Sequence, residues 1–155
     1  MKLLSSSVSE TRKIAALLAE EIKKTRNWPA HAFVVGLKGN LGAGKTVFVQ
    51  GLARGLGIKR KITSPTFLII RNYELRNGNY GKLYHVDAYR LKRAGELSAL
   101  GFKEMIGNPK NIIVIEWADK MKQLLPQTQK TTWVELKPGK GENERVINFS
   151  NRKKQ

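Results

Sequence analysis

Cysteine is absent from this sequence, and histidine occurs only at His31 and His85. The first absence excludes disulfides and thiolate metal centres, and the second excludes a histidine-rich metal site. A chain without cysteine suits a reducing compartment, so a cytoplasmic location is expected. Acidic residues are scarce as well. Twelve Asp plus Glu stand against 29 Lys plus Arg, for a formal net charge of +17. Such an excess favours phosphate-bearing partners without saying which. Long apolar runs are also missing. MKLLSSSVSE at the amino terminus breaks its run after two leucines, and IAALLA at 14–19 falls far short of the ~18 residues of a membrane span, so neither secretion nor contact with a membrane is expected. What remains is ordinary. An apolar fraction of 41% and a charged fraction of 26% over 155 residues match a globular domain. A chain of this size buries roughly 70% of its unfolded surface, enough for a core.

The patterning reads as an α/β fold. Ser7 and Glu10 have capping-box spacing, and Ile14, Leu17, Leu18 and Ile22 recur at helical intervals, so a helix over about 8–25 is expected, ended by Asn27, Trp28 and Pro29. AFVVGL at 32–37 and IIVIEW at 112–117 have the composition of buried strands, and a helix is expected from Lys45 to Leu56. FLIIRNYEL and GKLYHVD flank Asn77-Gly78 as a hairpin would. An irregular short helix over Glu96 to Met105, a helical turn at 121–125 before Pro126, and a final strand pair in TTWVELK and RVINFS complete the series. Helices and strands intermingle, which predicts a mixed β-sheet flanked by helices, one domain over 1–150, and a frayed basic tail at 151–155.

Residues 39–46 read GNLGAGKT, the pattern G-x-x-x-x-G-K-[ST], between a predicted strand and a predicted helix. Gly39, Gly42 and Gly44 permit tight turns, so that backbone amides of the loop and the helix start can surround phosphate oxygens. Asn40, Leu41 and Ala43 contribute through that backbone. Lys45 adds a point charge toward the β- and γ-phosphates, and the Thr46 hydroxyl suits a Mg²⁺ ligand. Such a site also needs an acid near the metal, usually at the end of a hydrophobic strand. Glu116 ends IIVIE, and Asp87 competes for the role: alternation in GKLYHVDAYR puts His85, Asp87 and Tyr89 on one face. Chemistry alone leaves the choice between the two acids open.

Four motifs in order, GNLGAGKT, TSPTF at 63–67, HVDAYR at 85–90 and EW at 116–117, resemble the TsaE family over about residues 9–120. That family is the P-loop ATPase of the bacterial complex that makes threonylcarbamoyladenosine next to the anticodon of tRNA. The resemblance implies that Gly39 to Thr46 bind the phosphates of ATP, that Thr46 and Glu116 hold Mg²⁺, that Asp87 is catalytic together with Lys45 and Glu116, and that Ser64, Pro65 and Thr66 form a switch-like element. Trp117 matches the family's tryptophan after the glutamate. Thr11, in Ser9-Glu10-Thr11, and Arg145 resemble family positions near the nucleotide, although a helix cap and a solvated charge explain them equally. Val47 departs from the family, where a second threonine is usual.

The implied function is an ATP-hydrolysing accessory subunit acting with TsaB and TsaD proteins, meeting tRNA through the assembled complex and not transferring the threonylcarbamoyl group itself. A small-molecule P-loop kinase is the alternative, with little room for an acceptor-binding domain or lid. A basic RNA-binding module with a regulatory nucleotide site is a further one. Basic residues flank the site in sequence, Lys59-Arg60-Lys61 before TSPTF and Arg90, Lys92 and Arg93 around the end of HVDAYR. They are read either as contacts to a tRNA backbone or as solvated loops.

Overall fold

The computed structural model describes residues 1–25, 30–64, 69–76, 78–125 and 131–151. Its elements are β1 (Lys2–Ser5), α1 (Val8–Lys24), β2 (Phe33–Lys38), α2 (Lys45–Gly55), β3 (Ile70–Glu74), β4 (Lys82–Asp87), α3 (Ala94–Ala99), α4 (Phe102–Gly107), β5 (Asn111–Glu116), a 3-10 segment Ala118–Leu124, β6 (Thr131–Pro138) and β7 (Arg145–Asn151). The strands form one sheet in the order β1-β7-β6-β2-β5-β4-β3. The four inner strands β6, β2, β5 and β4 are parallel, and β3, β7 and β1 join the two sides antiparallel. Parallel strands need cover on both faces. Every residue of β5 is buried accordingly.

Alternation along these strands divides the core in two. Val35, Leu37, Leu83, Ile112 and Val114 meet α1 and α2 through Ala15, Ile22, Phe48 and Leu52. Val34, Val86, Ile113 and Ile115 meet α3, α4 and the 3-10 segment through Leu97, Phe102, Met105 and Met121. The first face also carries the strand-end carboxylates. Helix α1 starts at Ser7, whose Oγ accepts from Glu10 N at 3.0 Å. The Glu10 carboxylate turns back to accept from the Ser6 backbone and hydroxyl, one residue earlier than in a full capping box. Glycine lets α1 and α2 approach closely: a Cβ on Gly51 would stand 2.3 Å from the Arg12 carbonyl oxygen, and one on Gly55 would stand 2.6 Å from Ala19 Cβ.

The mixed sheet, the hairpin and the final strand pair are as the sequence predicts. Four local features differ. The short helix expected over 96–105 is two helices, broken where Gly101 takes φ 84°. The turn expected at 121–125 begins earlier, at Ala118. Lys2–Ser5, which shows no strand signal of its own, pairs with β7. Asn151, expected in the tail, is the last residue of β7 and pairs with Thr132. The expected helix stop at Asn27, Trp28 and Pro29, residues Asn77 and Pro126, and the rest of the tail lie outside the described residues. No described helix is long and apolar enough to cross a membrane.

Candidate functional site

Because β2, β5 and β4 are parallel, their carboxyl ends open on one side of the sheet. The register sets Leu37, Glu116 and Asp87 level with one another across the three strands. Side chains paired across adjacent strands share a face, and strands lie about 4.8 Å apart. Two carboxylates separated by 29 residues therefore stand side by side, next to the point where β2 enters the glycine loop. Gly39, Gly42 and Gly44 take φ of 154°, 79° and 99°. Only glycine fits the first position, since a Cβ there would lie 2.5 Å from the Leu136 carbonyl oxygen. The loop closes with Ala43 N donating to Asn40 O at 3.0 Å. Gly44 caps α2 without a side-chain hydrogen bond, so the first amides of that helix are available to an anion.

Thr46, in the first turn of α2, donates its hydroxyl to Glu116 Oε1 at 2.8 Å. On the other side of that carboxylate, His85 Nε2 donates to Oε2 at 2.6 Å. Glu116 is 3% exposed and His85 fully buried, with Nδ1 lacking a hydrogen-bond partner among the described residues. The glutamate is thus fixed by both oxygens, its ring partner playing the part that orienting groups play around metal-binding carboxylates. Asp87 sits differently. It accepts from Ser64 Oγ at 2.9 Å and from Tyr89 N at 2.9 Å, toward the mouth of the cleft. The choice that chemistry left open is reduced by geometry: Glu116 faces the Thr46 hydroxyl, and Asp87 faces the segment that leads into Pro65 and Thr66.

Lys45 is folded back over the loop. Its Nζ donates to the carbonyls of Gly39 at 2.6 Å and Asn40 at 2.9 Å, and lies 3.9 Å from the centre of the Trp117 ring. Burial pushes this ammonium below the ordinary lysine value, while Glu116, Asp87 and Asp119 pull the other way by favouring its charged form. Trp117 is placed there by its backbone: at φ 61° it is the one non-glycine residue with positive φ among the described residues. That conformation costs about 1–2 kcal/mol, and it turns the chain from β5 into the 3-10 segment. Tyr89 packs against the indole in a tilted arrangement, with ring centres 5.1 Å apart. Arg145, from β7, clamps the loop tip by donating Nε to Ala43 O at 3.0 Å and Nη2 to Gly42 O at 3.3 Å, while Nη1 donates to the carbonyls of Glu142 and Glu144.

A cleft of about 420 Å³ results, with Leu41, Gly42, Gly44, Lys45, Thr46, Ser64, Asp87, Glu116 and Arg145 in its wall. Gly39 and Asn40 line an adjoining hollow under Trp117. Thr11 stands apart: it is buried, and its hydroxyl shares a 2.7 Å hydrogen bond with Ser5, joining α1 to β1. Pro65 and Thr66 fall outside the described residues. His85 and Trp117 were legible as motif members, but their contacts were not. Among the described residues no cluster of three acidic, histidine or cysteine side chains could cage a metal alone. The pair Thr46 and Glu116 fits a hard cation that keeps waters and shares phosphate oxygens, as Mg²⁺ does.

A strand, a glycine loop and a helix whose first turn carries Lys-Thr, facing acids at the ends of neighbouring parallel strands, define a P-loop α/β protein. The model of the family described as threonylcarbamoyl adenosine biosynthesis protein TsaE matches residues 5–147, and the chain belongs to that family. The tRNA threonylcarbamoyladenosine biosynthesis protein TsaE of Bacillus subtilis (strain 168) is 38% identical over 141 residues, which is 91% of this chain and 79% of the relative. Its counterpart in Treponema pallidum (strain Nichols) is 35% identical over 127 residues, 82% of this chain and 85% of the relative. The crystal structure of YdiB from Bacillus subtilis superposes with a TM-score of 0.73 at 32% identity, covering 99% of this chain and 86% of that one.

Proposed function

We propose that this protein binds ATP with Mg²⁺ and hydrolyses it as a cytoplasmic accessory subunit in threonylcarbamoyladenosine modification of tRNA, acting with TsaB and TsaD proteins. The role in tRNA modification follows from the family. The observation that carries the ATPase reading is the Thr46–Glu116–His85 chain at the mouth of the glycine loop. In this reading the loop amides and the first turn of α2 hold the phosphates, and Lys45 leaves the carbonyls of Gly39 and Asn40 for the β- and γ-phosphates. Thr46 and Glu116 hold Mg²⁺, which supplies charge neutralisation at the phosphates. Asp87, partly open to the cleft, orients the attacking water, and Ser64 couples it to the switch-like segment.

Dependence on partners is supported by what Arg145 does. Phosphoryl transfer gains from an added cation at the γ-phosphate. Arg145 is engaged by four carbonyls and braces the loop instead. Hydrolysis is therefore slow in the isolated chain and faster when a partner closes over the cleft. The test is ATP hydrolysis by the chain alone, then with TsaB and TsaD proteins, with and without tRNA. Acceleration by the partners is expected. Full activity alone, unchanged on their addition, contradicts the reading, and phosphate appearing on a small acceptor would assign a kinase instead.

A further inference from the structure

A second concave surface lies at the far end of α2. A groove of about 330 Å³ is lined by Arg12 from α1, Arg54 from α2, and Lys59, Arg60 and Lys61 from the segment that follows. All five side chains are exposed. No aspartate or glutamate occurs between Glu21 and Glu74, so four of the five cations, Arg54, Lys59, Arg60 and Lys61, come from a stretch of the chain with no acidic residue. Among the described residues none of the five meets a carboxylate at ion-pair distance; the pairs that form involve Lys23, Lys24, Lys38, Lys82, His85 and Lys137. Cations gathered around one hollow without counter-charge repel one another, and the repulsion is relieved when an anion enters.

Two of the five cations, Arg12 and Arg60, are held in place. Arg12 donates Nη2 to Gln50 Oε1 at 2.9 Å and Nε to the same atom at 3.3 Å, and Gln50 Nε2 donates to Ile62 O at 3.1 Å. These bonds tie the α1 arginine, the middle of α2 and the basic segment into one wall. Arg60 lies over the Tyr73 ring, its guanidinium carbon 5.5 Å from the ring centre, and the groove floor is closed by the buried Ile58 and Ile62. The groove is open, polar at its rim and extended from α1 to residue 61. That shape suits a running chain of phosphates, which several cations touch in turn, better than a single enclosed phosphate.

We propose that this groove is a docking surface for an RNA phosphate backbone, separate from the nucleotide cleft at the opposite end of α2. The choice of RNA over another polyanion rests on the proposed place in tRNA modification; the groove and its charge do not. Contacts of this kind position a nucleic acid without reading its sequence, so affinity depends steeply on salt and weakly on base composition.

The test is fluorescence anisotropy with a labelled tRNA transcript and the full chain, without nucleotide, over roughly 50–200 mM salt. Omitting nucleotide separates this outcome from the fate of the ATPase reading. Lys59→Ala, Arg60→Ala and Lys61→Ala combined are compared with Lys103→Ala, Lys110→Ala and Lys140→Ala combined, which remove the same charge at exposed sites elsewhere. The groove variant is expected to bind at least about tenfold more weakly, with its logarithmic salt slope reduced by about two to three, and the control variant to change little. Equal losses in both variants would assign the binding to net charge and overturn the proposal. So would absence of tRNA binding by the parent chain, or a groove variant that keeps tRNA but loses TsaB and TsaD. Photocrosslinking of the unaltered chain to 4-thiouridine-substituted tRNA removes any dependence on variant folding: adducts at Arg12 or within 54–61 support the groove, and adducts confined to other segments refute it.

Discussion

The two ends of α2 handle charge in opposite ways. At its start, Lys45 is buried among loop carbonyls and an indole, and two carboxylates stand in register beside it. At its end, Arg54 and the cations of 59–61 are exposed and face no carboxylate among the described residues. The first arrangement fixes each charge at a defined place, which suits chemistry on one phosphate group. The second spreads charge along a surface, which suits electrostatic docking that salt weakens. One helix therefore separates a directional site from a diffuse one.

Substitutions at the start of α2 should have the largest and most specific effects. Asp87→Asn is expected to fold with a parental melting temperature and to lose hydrolysis in the assembled complex by about 10²-fold or more, the low end of what a positioned acid–base group contributes. A parental rate would remove Asp87 from catalysis, and a collapse of the melting curve would make its bonds to Ser64 and Tyr89 structural. Lys45→Ala should weaken ATP binding by roughly 2 kcal/mol or more, since charge-assisted hydrogen bonds contribute about 1.5–3 kcal/mol. Calorimetry reads that loss directly, and unchanged affinity would separate the lysine from the phosphates.

Between the two ends, Gly51→Ala drives a methyl group into the Arg12 backbone. Overpacking of this kind costs about 1–3 kcal/mol, measured by chemical denaturation. Because Arg12 forms one wall of the groove, the same change should disturb the groove more than the glycine loop. An equal loss of ATP affinity and RNA affinity would show that the two ends of α2 are not independent. The smallest effect lies outside both. Hydrogen bonds from the Ser6 hydroxyl and backbone hold the Glu10 carboxyl below its ordinary value of 4.5. A carboxyl depressed in the folded state contributes stability that is present above the ordinary value and is lost as pH falls through the depressed one. Glu10→Gln should therefore flatten the acid limb of the stability profile below about pH 4.5. A profile identical to the parent's would show that this cap does not contribute.

How legible each end was in the sequence follows from the same contrast. The glycine loop is eight contiguous residues with a strand before it and a helix after it, so it could be read directly. Asp87 and Glu116 were visible as strand ends. Their pairing, and the position of His85 behind Glu116, required the parallel register of β4 on β5, which no local pattern encodes. Trp117 could be seen beside the glutamate, but not its left-handed backbone or its place under Lys45. The run Lys59-Arg60-Lys61 was evident as charge. Its groove was not, because Arg12 joins it from another helix through Gln50. Strand β1 was missed because KLLS is too short to show a period and acquires its structure by pairing with β7.

In the proposed function Glu116, held between Thr46 and His85, organises Mg²⁺ at the phosphates. The most direct test of that role is calorimetric titration of ATP, with and without Mg²⁺, into the parent chain and into Glu116→Gln. Mg²⁺ is expected to strengthen ATP binding to the parent, and the variant, still folded and still binding ATP, to lose most of that gain. An equal gain from Mg²⁺ in both proteins would contradict that role.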